Sequence, residues 1–184
     1  MRTFGVTIEG ISPLLMHRFP EEGADSTIKK RTGAPDWKEE AERSLYKTED
    51  GTIYQPASHI EGTVKEAAKQ FKITGRRGAT YSKLVGSTVE VYPDYLVHKK
   101  DSYVIDSRPV RIQAARIIRY RPKFEDWALD FDLILHDEQV PSEVVKQILD
   151  HAGLYVGIGD FRPGKGGKYG KFMITRFEEQ KDKV

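Results

Sequence analysis

Residues 157–172 read GIGDFRPGKGGKYGKF, with six glycines, four cations and three aromatic rings in sixteen positions. Gly157, Gly159, Gly164, Gly166, Gly167 and Gly170 let a backbone take positive φ and come close to a ligand. Arg162, Lys165, Lys168 and Lys171 supply charge for phosphates, and Phe161, Tyr169 and Phe172 supply rings that stack on bases or pack. Cations and rings interleaved this way suit a single-stranded backbone, with cations on phosphates and rings on bases. Gly159, Gly164 and Lys165 also fit the spacing G-x-x-x-x-G-K. A nucleotide-phosphate loop then needs Ser or Thr for magnesium and a helix directly behind it. Gly166 stands in that place, Gly167 follows, and Pro163 removes an amide from the cradle. An ATP or GTP site is therefore excluded, and no cofactor is expected.

Other chemistries find less support. The five histidines, His17, His59, His98, His136 and His151, are scattered without H-x-x-x-H spacing, and there is no cysteine, so no metal site is expected. His17 follows the first strand among polar residues and is a candidate general base. Asp25, beside Glu21 and Glu22, is a candidate carboxylate for attack on an RNA 2′-hydroxyl or for holding a metal ion. Asp130 and Asp132 read as the solvated face of a strand. No G-x-S-x-G elbow is present.

The net charge of +2 conceals segregation. Residues 108–123 carry six basic residues and no acid, whereas residues 124–143 carry seven acids and neither Lys nor Arg. Two readings stand open: neighbouring strands pairing their charges, or a basic surface for a polyanion. With 184 residues, 38% hydrophobic and 32% charged, the chain reads as one foldable domain. No apolar run reaches membrane-span length and the first ten residues have no signal-peptide core, which gives a cytoplasmic expectation.

The elements that must position these residues follow from periodicity. Phe4, Val6 and Ile8 alternate with polar residues as a half-buried strand. Residues 17–34 form a polar loop, and Asp36 with Glu39 opens a helix carrying Trp37, Ala41 and Leu45. A short strand, Thr52 to Tyr54, follows. Ser58 and Glu61 form a capping box ahead of the stripe Ile60, Val64, Ala67, Ala68 and Phe71, and the helix should end before Thr74. Residues 75–107 read as an insertion, basic at its start, with short strand-like pieces at Val89 to Tyr92 and Tyr103 to Ile105. Val110 to Arg121 and Trp127 to Leu135 read as a hairpin turning at Pro122 to Asp126. Ser142 caps a second helix ended by Gly153, and Phe172 to Phe177 is the last strand, before a frayed polar tail at 178–184. Without insertions at 17–50 and 75–107 the order is βαββαβ, predicting an α+β fold, ferredoxin-like or RRM-like, with an antiparallel sheet.

Three segments then resemble the RAMP superfamily of CRISPR-associated proteins, most of all its family-seven backbone subunits. The strand exit Ile11-Ser12-Pro13-Leu14 resembles the family's first strand. Tyr54 to Ala67 (YQPASHIEGTVKEA) is similar to its "I-P-G-S-S-L-R-G-x-L-R" helix opening, with Ala57 for the usual glycine and His59 and Glu61 departing from it. The glycine-rich stretch lies between the second helix and the last strand, as in that family. The chain is shorter than most such subunits, which suggests a compact or stand-alone relative. The resemblance implies sequence-independent binding of single-stranded RNA (or ssDNA) by subunits stacked head to tail as a homo-oligomer or filament, alongside other CRISPR-type subunits. It assigns backbone contacts to Ser58, His59, Lys65, Arg162, Lys165 and Lys168, with Tyr169 and Lys171 in the same loop. It assigns Arg76 and Arg77 to a thumb-like insert. Two alternatives remain: an endoribonuclease using His17 or Asp25, and a protein–protein scaffold.

Overall fold

The computed structural model describes residues 1–19, 37–112 and 115–180. The alternation at the N-terminus builds β1 (Arg2–Gly10), whose Phe4, Val6 and Ile8 are buried at 0–2% exposure. After β2 (Leu14–Leu15) come α1 (Trp37–Arg43), β3 (Tyr54–Pro56) and α2 (Ala57–Ala67). Next are α3 (Ser82–Thr88), β4 (Val89–Tyr92), β5 (Tyr95–Val97), β6 (Val104–Ile112) and β7 (Ala115–Phe124). The chain closes with β8 (Ala128–Leu135), α4 (Ser142–His151) and β9 (Phe172–Gln180).

The central sheet has the order β4-β8-β1-β9, antiparallel throughout. Register sets apolar residues face to face: Phe4 opposite Leu133, Val6 opposite Phe131, Ile8 opposite Leu129. α2 links β1 to β4 and α4 links β8 to β9, so the core is a ferredoxin-like βαββαβ unit. Both helices cover one face, where Ile60 and Val64 of α2 and Val145, Ile148 and Leu149 of α4 are fully buried. Each such side chain contributes about 1.5–3 kcal/mol.

The fold class is as expected, but the second strand is not. Val89–Tyr92, inside the supposed insertion 75–107, pairs with β8 and closes the sheet. The expected single strand Val110 to Arg121 is divided between the end of β6 and most of β7, which pair with each other, Arg108 opposite Arg119 and Val110 opposite Ile117. These two strands form a ribbon outside the central sheet, held at its base by β2, where Leu14 faces Phe124. Adjacency in sequence suggested a hairpin with β8; β1, with a matching apolar face, takes that place.

Helix ends also differ from the expected caps. α2 begins at Ala57, with Pro56 at its N-cap and no side-chain cap, so Ser58 lies inside the first turn. Glu61 accepts a hydrogen bond from the Val91 amide at 3.0 Å, tying α2 to β4. α4 likewise starts at Ser142 behind Pro141. Gly153 does not end it: a π-helical turn runs over Ala152–Val156 and Gly157 follows with φ +69°. A Cβ on Gly153 would sit 2.2 Å from the Phe172 carbonyl oxygen, so that glycine serves close packing. Glu178, Glu179 and Gln180 of the expected tail pair with Gly5, Phe4 and Thr3.

Candidate nucleic-acid interface

A cleft of about 660 Å³ opens on the helix-covered side of the sheet. One wall is α2, contributing Ser58, His59, Gly62 and Thr63, with Glu66 and Lys69 beyond. The facing wall is the glycine-rich segment, contributing Ile158, Gly159, Asp160, Arg162, Gly164 and Lys165. His17 and Phe19, after β2, and Tyr46, after α1, line its ends. The walls are joined by a buried hydrogen bond from the Thr63 hydroxyl to the Gly157 carbonyl at 3.0 Å.

The glycine-rich segment is a folded knot. The Arg162 carbonyl accepts from the amides of Lys165 and Gly167 at 2.9 and 3.0 Å, that of Phe161 from Tyr169 at 3.0 Å, and that of Pro13 from Gly170 at 2.8 Å. A Cβ on Gly167 would lie 1.7 Å from the Phe161 carbonyl oxygen, and one on Gly170, at φ +66°, 1.8 Å from that of Ile158. These glycines therefore admit the chain's own backbone. Gly166 alone of the segment's glycines has open space at its Cβ.

The loop's rings are likewise engaged. Phe172 is 1% exposed in the core. Tyr169, expected to face nucleic acid, is 7% exposed; its hydroxyl accepts from Arg108 of β6, whose guanidinium lies 4.6 Å from the ring centre. Phe161, held at φ +51°, has Arg108 and Arg121 within 6 Å of its ring. A bulky residue in that region costs free energy that the surrounding contacts must supply.

Beneath Phe161 lies a cluster that sequence reasoning missed. Arg121 of β7 has only 8% of its side chain exposed, and its Nε is 3.0 Å from Asp160 Oδ2. The N–H does not point along that line, so the pairing is Coulombic. His17 Nδ1 lies 3.7 Å from the same oxygen. His17, then the Arg121 charge, hold the Asp160 carboxyl below its ordinary range against the opposing effect of burial. The available signal was that Asp160 is the one acid in the glycine-rich run.

The reading of run 108–123 as one of two neighbouring strands that pair their charges does not hold, because β7 and β8 lie in different sheets. Arg108 pairs with Asp106, Arg119 with Glu40 at 3.3 Å, Arg121 with Asp160, and Lys123 with Glu125 at 2.7 Å. Acids scattered over four segments neutralise these cations; of the neighbouring acidic strand's run, only Glu125 takes part. Asp130 instead binds Lys99 at 2.7 Å and Thr7 at 2.6 Å on the open sheet face.

Of the expected contact residues, the cleft gathers Ser58, His59, Arg162 and Lys165, together with His17. Arg162 Nη1 donates to the Gly159 carbonyl at 3.0 Å, which orients the guanidinium and leaves its other N–H groups for a ligand. Burial, and secondarily the Arg162 charge, push the His59 imidazole down, so it is neutral near pH 7. Other residues fall elsewhere. Lys65 runs its stem beside Gly86 of α3. Arg76 and Arg77 are exposed in the turn between Lys72 and Thr80, and Lys171 is tied by its backbone to Ile11 and Ser12. Lys168 is exposed, its ammonium 5.8 Å from the Tyr169 ring. Asp25, Asp36 and the acids beside Asp25 lie outside the described residues. Among the described residues no group of three or more His, Asp or Glu is placed to hold a metal ion, and no helix is long and apolar enough to cross a membrane.

No family model matches this chain, and no curated protein matches it. Among solved structures, a chain from the cryo-EM structure of the Type III-B Cmr-beta bound to cognate target RNA aligns with TM-score 0.48 and 15% identity. The alignment covers 98% of this chain and 61% of that one, so this chain spans about three-fifths of its length.

Proposed function

We propose that the cleft holds the sugar–phosphate backbone of a single-stranded nucleic acid, without reading its sequence and without nucleotide hydrolysis. The observation that supports this reading is the meeting of two segments distant in sequence. The α2 opening, with Ser58 and His59, faces Arg162 and Lys165 of the glycine-rich knot across one cleft. Arg162 offers a fork matched to a phosphate, Lys165 a mobile point charge, and the Ser58 hydroxyl a neutral donor. The cleft's own acids leave room for an anion: Asp160 is engaged by Arg121 and His17, and Glu66 by Lys69.

The helix-opening element and the order of segments resemble RAMP proteins, so RNA is the form to test first. Head-to-tail assembly of copies along that strand, with or without other CRISPR-type subunits, belongs to the same proposal. Titration of a labelled 20-nucleotide U-rich RNA should give an affinity that falls with salt. The double replacement Arg162→Ala, Lys165→Ala should weaken binding to all sequences. It should also reduce the log–log salt slope by about 1.4, since each phosphate left without its cation removes about 0.7. Unchanged affinity and slope would overturn the reading. Light scattering with and without RNA tests the assembly.

One observation favours a second reading, metal-independent RNA cleavage. The cleft is lined by His17, which lies beside Asp160, and by His59, two imidazoles of the kind that general acid–base cleavage uses. Labelled RNA incubated in EDTA should then be cut by the native chain and spared by His17→Ala; intact RNA in both removes this reading.

A further inference from the structure

Binding a single strand tightly without sequence choice requires ring faces for the bases as well as cations for the phosphates. The usual place in a four-stranded sheet of this kind is the open face, through aromatics on the central strands. Here the central strands present Gly5, Thr7, Asp130 and Asp132 at those positions, paired across β1 and β8. The rings of the glycine-rich knot are also spent: Tyr169 and Phe161 carry Arg108 and Arg121, and Phe172 is in the core.

A different set of rings adjoins the cleft. His59 meets Tyr46 edge-on with centroids 5.3 Å apart, Tyr46 meets Tyr54 at 5.9 Å, and Tyr54 meets Tyr95 at 4.3 Å. Four segments contribute one ring each: α2, the stretch after α1, β3 and β5. The pairing of Tyr54 with Val97 and Pro56 with Tyr95 in the small β3–β5 sheet fixes the outer two. His59 and Tyr46 line the cleft, whereas Tyr95 is 55% exposed, with Val97 exposed equally on the same side of β5. Leu96 between them is fully buried, so β5 is anchored from beneath and presents Tyr95 outward. A core packing role would not require the last ring of the row to stand in water.

We propose that this row is a base-stacking track, which leads a single strand from phosphates held at Arg162 and Lys165 out across β5, with Tyr95 as its outer stacking platform. The inference rests on the proposed phosphate cleft and adds to it the path of the strand and the group that holds its bases. Stacking of this kind accepts any base, in keeping with binding that does not read sequence.

The test compares the native chain with Tyr95→Ala and Tyr95→Phe on two probes: a 20-nucleotide U-rich RNA, and a strand of equal length whose outer half is abasic. Tyr95 is exposed, so both variants keep the fold, checked by circular dichroism. Tyr95→Ala should weaken binding of the full strand by about 5- to 150-fold, the effect of losing one stacked base. Its salt slope should not change, Tyr95→Phe should restore affinity, and the abasic strand should bind the three proteins alike. Full affinity in Tyr95→Ala, with binding still weakened by Arg162→Ala, Lys165→Ala, overturns the track and leaves the cleft standing. A native chain that binds neither probe overturns both.

Discussion

Replacing His98 with Phe tests how the ribbon's base is held. His98 is 5% exposed, stacked on Phe124 of β7 with ring centroids 4.9 Å apart, and neither ring nitrogen has a hydrogen-bond partner. Burial pushes its imidazole down from 6.5 to about 4. The unfolded chain therefore takes up a proton below pH 6.5 that the folded chain refuses until about pH 4. Stability carried by the neutral ring is whole above that window and is lost as pH falls through it. At pH 5 the loss is about 2 kcal/mol. With a urea dependence of about 2 kcal/mol/M, the native midpoint should move about 1 M further downward between pH 7.5 and pH 5 than that of His98→Phe. Phenylalanine keeps the stack on Phe124, and the backbone bond from the residue 98 amide to Ile53 remains available. Carboxylates titrate alike in both proteins, so the difference isolates this ring. Parallel pH curves for the two proteins would refute the account.

Three further outcomes follow from the knot and its buried pair. Gly170→Ala should destabilise the fold by about 2–4 kcal/mol in urea melts, because its Cβ would meet the Ile158 carbonyl at 1.8 Å in a left-handed conformation. Gly166→Ala, with open space but φ +76°, should cost only about 1 kcal/mol in the same melts. Asp160→Asn strands the buried Arg121 charge and should cost about 2 kcal/mol, less than for a fully buried pair because Asp160 is 32% exposed. Since the Asp160 carboxyl is held below its ordinary range, the native advantage over Asp160→Asn is present above about pH 4 and lost in acid, readable as converging melting curves.

Much of this architecture was legible in the chain. Period-two alternation marked β1 and β8, and the stripe Ile60, Val64, Ala67 marked α2, because each element buries a single face. What failed was pairing. Val89–Tyr92 was legible as a strand-like piece, but its place beside β8, and the choice of β1 over β7 as partner of β8, are made by apolar faces meeting, a tertiary fact. The cap signals at Ser58 and Ser142 misplaced helix starts by two residues and one residue, because Pro56 and Pro141 set the entry instead. In the site, Ser58, His59, Arg162 and Lys165 were named together only through the family resemblance; they line one cleft because α2 and the segment after α4 pack side by side. The fate of Tyr169 was hidden: its ring answers to Arg108, sixty-one residues away, on a ribbon whose position no local pattern specifies.

The open face of the central sheet bears on how a ligand first approaches. Glu9, Asp130, Asp132, Glu90 and Glu178 lie on it against Arg176 and Lys99, while Arg162 and Lys165 stand on the helix-covered side. Among the described residues that face is thus predominantly acidic. Given the proposed cleft, a polyanion drifting toward it would meet repulsion and be turned toward the helix-covered side. Orientation is then partly settled before contact, within the roughly 8–10 Å over which charges act at physiological salt.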